Sequence, residues 1–341
     1  MPFSEDDPET LAIIVTPHFN LATTTGFIDP FRAANYLEGK TLYRWRLFSL
    51  EGGPVEASNG MTIDAEPLAS IKVRPDLVVI SSSWAPEQYA HPLIHGALRR
   101  WARQGATTIG LDTGAFLLAG AGLLSGRRAT VHYEHYDAFE ELARDVEVCT
   151  DLFVVDGPCI TCCGGGASVD LALQIIRERH GAGLSNSSAR YIFHERSRPP
   201  GAQQNPGLIE PLGGLAPEKL RRAIAVMEAN LEDPLTIPEI CAGVDLSQRQ
   251  LERLFQQYVR TSPKLYYRDI RLDRARGLVT QTTLPLKEVA IACGFASQEH
   301  FSRVYRARFG VTPSTDRVEG RVRFEFRAWP MHRPGAHSDA P

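Results

Sequence analysis

The 341-residue sequence predicts an α/β domain, a parallel sheet flanked by helices, followed by an all-α domain with two helix-turn-helix units. Short apolar runs alternate with helical patterns from Leu11 to about His180, and helices dominate after about Leu215. Among those helices a single plan occurs twice, with serine caps fifty positions apart at Ser247 and Ser297. A chain this long exceeds what one hydrophobic core usually fills, so two domains are expected.

In the first half the runs LAIIVTPHF, WRLFSL, DLVVISSSW, ATTIGLD and LFVVDG read as strands, separated by segments such as HPLIHGALRRWARQG. Strands alternating with helices imply parallel pairing, a flavodoxin-like sheet, and ligands at the carboxyl ends of the strands. This domain is expected over residues 9–195. A linker follows over 196–213, where RSRPPGAQQNPG and PLGG lack apolar period. The helical domain is expected over 214–317, and a disordered tail ending in MHRPGAHSDAP over 318–341.

The helical half opens with Pro217 to Asn230, which carries Leu220, Ala223, Ile224 and Met227 on one face. TIPEICAGVDLSQRQLERLFQQY then reads as helix, tight turn, helix, with Ile240 and Ala242 inside the first and Leu251, Leu254 and Phe255 inside the second. Ser247 caps that second helix, and Gln250 completes a capping box. LPLKEVAIACGFASQEHFSRVYRARFG repeats the plan: Val289 and Ala290, a turn at Gly294, then a helix capped by Ser297 that buries Phe301, Val304 and Tyr305. A long helix opened by Ser262 and Pro263 and running to about Thr280 joins the two. Two recognition helices on one rigid helix can enter successive major grooves, roughly 34 Å apart.

Charge supports that geometry. Residues 1–213 hold 17 Lys and Arg against 25 Asp and Glu, whereas 214–330 hold 19 against 14, so the second half is the one suited to a polyanion. The chain has no run of eighteen apolar residues, and its start, MPFSEDDPET, is acidic where a secretory signal is basic and then apolar. A cytoplasmic protein that does not engage membrane is expected. The six cysteines lack the density of a disulfide scaffold, and Cys159 and Cys162 lie in a strand-like run without zinc spacing, so they read as buried thiols. No metal and no cofactor are expected.

The segments RLDRARGLVTQT, VAIACGFASQEHFSRVYRARFG and TPS resemble the closing signature of the AraC family of bacterial regulators, over about a hundred residues. One departure is Asp245, standing where the first turn usually has Gly; Asp tolerates the left-handed conformation better than most residues. By position on each recognition helix, the candidate base readers are Arg249, Glu252 and Arg253 in the first unit and Gln298, Glu299, His300 and Arg303 in the second. Arg306 and Arg308 lie further along, toward phosphate or their own domain. The resemblance implies double-stranded DNA and RNA polymerase as partners, a homodimer, and transcription activation in response to a small-molecule inducer.

The run ATTIGLDTGAFLLAGAGLLSGRRATVHYEHYDAF places a strand, a sharp turn at Asp112 to Gly114, and a helix. This resembles the PfpI-type, glutamine-amidotransferase-like fold that precedes the DNA-binding half in one AraC subfamily, over residues 11 to about 195. Enzymes of that superfamily hold a cysteine nucleophile at the turn, with an acid from the first loop and a histidine nearby. Mapped here, the nucleophile position is Asp112, the acid Asp29 and the histidine His132. A carboxylate is a far weaker nucleophile than a thiolate, so the scaffold is expected without its catalysis. The ligand pocket is expected to use Asp29, Ser83, Trp84, Asp112, Thr113, His132, Tyr133 and Glu134, with Phe19, Phe27 and Ser82 in its walls and Tyr136 adding an aromatic face. Three carboxylates among aromatic rings suit an amino-acid-like or quaternary-ammonium cation; members of the resembled subfamily sense arginine, carnitine and glycine betaine. The alternative is an amidase- or hydratase-like enzyme, using Asp112 or His132, fused to a DNA-binding domain.

Overall fold

The computed structural model describes residues 7–195, 197–204, 216–282 and 284–320. It divides into two units, one ending at Gln204 and the other starting at Asn205.

The first unit is an eight-stranded sheet between helices. Strand β1 (Glu9–Val15) takes a central place because its LAIIV run is apolar on both pleats. Leu11, Ile13 and Val15 join one core layer, and Ala12 and Ile14 the other. Helix α1 (Leu21–Glu38), strands β2 (Tyr43–Ser49), β3 (Gly53–Glu56), β4 (Thr62–Pro67) and β5 (Leu77–Ser82), and helix α2 (Pro92–Arg103) follow. Then come β6 (Thr107–Asp112), α3 (Gly114–Gly120), β7 (Arg128–Ala129), α4 (Tyr136–Leu142), β8 (Glu147–Val148), β9 (Phe153–Asp156), β10 (Cys159–Cys162) and α5 (Ala167–Tyr191), the last broken at Gly181. The sheet order is β3-β4-β2-β1-β5-β6-β10-β9. From β4 to β10 every pairing is parallel, and the two edge pairings are antiparallel. The order turns back on itself at β1, whose two neighbours are β2 and β5. That reversal is a switch point, where the loops at the strand ends part and leave a crevice.

The second unit is all helical. It comprises α6 (Glu218–Glu228), α7 (Ile237–Gly243), α8 (Gln248–Tyr258), α9 (Pro263–Gln281), α10 (Leu286–Ala292), α11 (Gln298–Phe309) and α12 (Pro313–Gly320). Two cores form on the two ends of α9, one around Leu220, Ile240, Leu251 and Phe255, the other around Leu278, Val289, Phe301 and Tyr305. Among the described residues, no helix is long and apolar enough to cross a membrane.

Three expectations need correction. Residues 197–204, read as the start of a linker, are tied to the α/β unit: the Leu152 amide donates to the Ala202 carbonyl (2.7 Å), and the Gln204 amide to the Thr150 carbonyl (2.7 Å). The rest of the expected linker, from residue 205 to 213, lies outside the described residues. Ala242 is exposed, and Cys241 and Val244 fill the core beside Ile240 instead. The expected tail begins inside α12, which continues to Gly320; its remainder lies outside the described residues.

Candidate functional site

The carboxyl ends of β1, β5, β6 and β10 meet at Asp112. This residue ends β6 with φ of 60°, and α3 starts two residues later, so the chain reverses through a sharp elbow. Two glycines make the elbow possible. A Cβ on Gly110 would stand 2.9 Å from the Ala115 nitrogen, and one on Gly114 only 2.2 Å from the Ile80 carbonyl oxygen. Without side chains at these positions α3 lies directly on β5 and β6. The loop after β10 closes the other side: a Cβ on Gly164, at φ of 88°, would be 3.0 Å from the Asp112 Cβ.

The Asp112 carboxylate is buried, 4% exposed. Asn20 Nδ2 donates to its Oδ2 at 3.2 Å, and the Ser83 hydroxyl also hydrogen-bonds it. Burial nonetheless pushes the carboxyl up to about 7, the two hydrogen bonds pull it down, and the negative charge of Glu134 adds to the rise. Beside it, burial drives the Cys162 thiol far above the ordinary range, with Cys163 and Asp112 contributing in the same direction, so that sulfur is held neutral.

Of the expected pocket residues, Ser83 hydrogen-bonds Asp112, Glu134 acts on Asp112 only through its negative charge, and Trp84 sits half-buried directly after Ser83. His132, Tyr133 and Glu134 share one short turn. His132 Nδ1 accepts from the Glu134 amide at 3.4 Å, and its ring lies 4.5 Å from that of Tyr133, tilted by 31°. Asp29 is elsewhere. Helix α1 already begins at Leu21, so Asp29 is nine positions beyond Asn20, about 13 Å along the axis. There it pairs with Arg32 at 2.5 Å on the helix surface. Thr113 is fully buried, and its hydroxyl donates to the Ser83 carbonyl at 2.5 Å, so it braces the elbow from behind. Phe19 and Phe27 are core residues, the Ser82 hydroxyl accepts from Thr16, and Tyr136 packs on the core layer around Phe139. The residue that sequence reasoning missed is Asn20. Its signal is a helix start: Asn20 caps α1 by accepting from the Thr23 amide.

In the second unit the capping box of Ser247 and Gln250 is formed, and Ser297 accepts from the His300 amide at 3.2 Å. Thr236 and Glu239 form a further box that opens α7. The first turn holds Asp245 at φ of 52°, the second Gly294 at φ of 69°. A Cβ on Gly294 would stand 2.7 Å from Pro234 Cδ and 2.8 Å from the Leu231 carbonyl oxygen, so the second turn seats on the loop before the first. Gly294→Ala is expected to lower the stability of this unit by about 1–3 kcal/mol in thermal unfolding; a parent-like midpoint would show that the two turns do not depend on that seat.

Arg249, Glu252 and Arg253 are exposed on α8, and Gln298, Glu299, His300 and Arg303 on α11. Arg303 Nη2 lies 3.0 Å from His300 Nδ1. Arg308 turns inward: it pairs with Asp269 and Asp273 of α9 at 2.9 Å each, while Arg276 of α9 binds buried Asp316 at 2.9 Å. These pairs lock α11 and α12 onto the long helix. Arg306 is exposed.

An α/β unit with a sharp elbow at Asp112, joined to a duplicated helix-turn-helix unit, is the architecture of a DNA-binding transcription regulator. Residues 12–178 match the DJ-1/PfpI family and residues 240–318 the helix-turn-helix domain family. The HTH-type transcriptional regulator CdhR of Pseudomonas aeruginosa is 40% identical over 306 residues, covering 89% of this chain and 90% of that one. The HTH-type transcriptional regulator ArgR of the same species is 36% identical over 328 residues, covering 96% and 98%. A THiJ/PfpI family protein of Pseudomonas syringae, 17% identical with a TM-score of 0.51 over 70% of this chain and 90% of its own, shares the fold. The chain belongs to the AraC-type HTH transcriptional regulators that carry an N-terminal DJ-1/PfpI domain.

Proposed function

We propose that the α/β unit is a sensor rather than an enzyme, and that it binds a small amino-acid-like or quaternary-ammonium cation as inducer. The observation that carries this reading is the buried carboxyl of Asp112 at the elbow: its hydrogen-bond partners, Asn20 and Ser83, are uncharged, and the charge of Glu134 acts on it as a further negative one. A cation entering there relieves both the repulsion and the desolvation. Asp29 no longer contributes, so the attraction rests on two carboxylates, with Trp84 and Tyr133 as aromatic faces. The neutral Cys162 thiol and a carboxylate at the elbow leave no thiolate nucleophile at this position. Inducer binding then sets the activity of a cytoplasmic homodimer that engages double-stranded DNA through α8 and α11 and recruits RNA polymerase as an activator.

Calorimetry with arginine, choline, carnitine and glycine betaine tests the ligand. Binding of one of them, weakened at least about tenfold by Trp84→Ala or Glu134→Gln (about 1.4 kcal/mol), is expected. Binding of another neutral or anionic metabolite, one without a cationic group, while all four of these fail would contradict it. An elbow carboxyl near neutrality also suits acid–base chemistry, so turnover by the α/β unit that is lost in Asp112→Asn would establish the enzymatic alternative.

On the DNA side, Arg253→Ala and Arg303→Ala are each expected to cost about 1–3 kcal/mol of specific binding and to relax base preference at one position, with the fold unchanged. Equal ratios of target to random binding for parent and variants would remove both from the set of readers.

A further inference from the structure

The segment leading toward the DNA-binding half is held by the turn that carries His132, Tyr133 and Glu134. Gln204 Oε1 accepts from the Tyr133 amide at 3.2 Å. Its Nε2 donates among the Thr130 hydroxyl (3.0 Å), the Val131 carbonyl (3.0 Å) and the Asp151 carbonyl (3.1 Å). One side chain thus fastens three backbone groups and a hydroxyl, all of them between residues 130 and 151. Gln203 reinforces it: its Oε1 accepts from the Thr150 hydroxyl, and its Nε2 donates to Asp151.

A second tie lies six residues earlier. Asp170, whose side chain is fully buried in the first turn of α5, accepts from the Arg198 amide at 3.0 Å and Arg198 Nε at 2.7 Å, and pairs with His194 Nε2 at 2.7 Å. The loop immediately before that turn is the one whose Gly164 abuts Asp112 and whose Gly165 amide donates to Thr23 at 2.7 Å. One tie therefore ends on the 132–134 turn, and the other on the first turn of α5, directly after the loop whose Gly164 lies against Asp112. A cation drawn to Glu134 and Asp112 has to act on these two elements first.

We infer that Gln204 is a positioning residue for the sensor site: it orients the 132–134 turn, and through it the start of the interdomain connection reads whether the site is filled. This rests on the sensor reading for its ligand, but the bonds themselves do not. Coupling of this kind is reciprocal, so a change at either end must register at the other.

Hydrogen–deuterium exchange of the full chain tests it at both ends. Gln204→Ala is expected to speed exchange of the amides of 130–135 by about tenfold or more, and His132→Ala, which removes the cap of the turn, to speed exchange of 198–204. The parent's global unfolding midpoint serves as the reference for folding, and Gln204→Asn, too short to reach both ends, is expected to resemble the alanine variant. Unchanged exchange at 130–135 in Gln204→Ala would overturn the inference. With the cation that binds in calorimetry, exchange at 198–204 is expected to change in the parent and not in Gln204→Ala. A bound cation that leaves 198–204 unaltered in the parent would overturn the coupling. If none of arginine, choline, carnitine and glycine betaine binds, the ligand reading fails while the two ligand-free comparisons still decide the role of Gln204.

Discussion

Gly114→Ala is expected to destabilise the α/β unit by about 3–5 kcal/mol, a loss large enough to leave it unfolded at moderate temperature. The added methyl would stand 2.2 Å from the Ile80 carbonyl oxygen and 3.2 Å from its carbon, and both are backbone atoms of β5 that cannot rotate aside. Relief requires α3 to lift off the sheet, which opens the layer formed by Ala115, Leu117, Leu118 and Ile80. Gly96→Ala in α2 is the matched control, because nothing lies within 4 Å of its Cβ position. There the substitution is expected to be neutral or stabilising by up to about 1 kcal/mol. Urea titrations of the two variants check this, and equal midpoints would mean that the close approach of α3 to β5 is not required.

The second large effect is on ligand affinity against pH. The folded Asp112 carboxyl lies near 7, above the 3.8 of an unperturbed one. Stability from this raised group is fully present below about pH 4 and is lost as pH rises through 7, because the fold favours the protonated form. A cation requires the opposite form. Its affinity is therefore expected to rise about tenfold per pH unit below 7 and to level off above it, a gain of about 25-fold between pH 5.5 and 7.5. In Asp112→Asn the slope should vanish, and less stability should be lost between pH 4 and 7 than in the parent, the remainder coming from other carboxyls raised by burial such as Glu9 and Asp273. Calorimetric titrations across that range decide it: a flat affinity in the parent would show that Asp112 does not face the ligand.

How far the residues announce these features depends on how local each one is. The caps of α8 and α11 are legible because Ser247 with Gln250, and Ser297, act within one turn of chain. The elbow is legible for the same reason: a strand, a charged residue, a glycine and a helix adjoin in TTIGLDTGAF. Asp245 takes the left-handed turn expected of it, since that is a property of one residue.

Contacts that span the fold are not legible. Asn20 reaches Asp112 across 92 positions, and Gln204 reaches Asp151 across 53, distances at which no periodicity operates. The expectation for Asp29 fails because it overlooks the true start of α1, at Asn20; shifting a helix by half its length moves an acid from a crevice to a solvated face. Residues 197–204 look like linker because Pro, Gly and Gln carry no apolar pattern, yet their attachment is entirely polar.

Helices α8 and α11 are expected to read DNA as a pair fixed by α9. Selection of duplexes from a random library by the full chain measures this most directly. Enriched sequences are expected to contain two short conserved blocks centred about one helical turn apart, roughly 10 base pairs, one for each recognition helix. Enrichment of a single block with no second one at that spacing, or of none above random sequence, would contradict it.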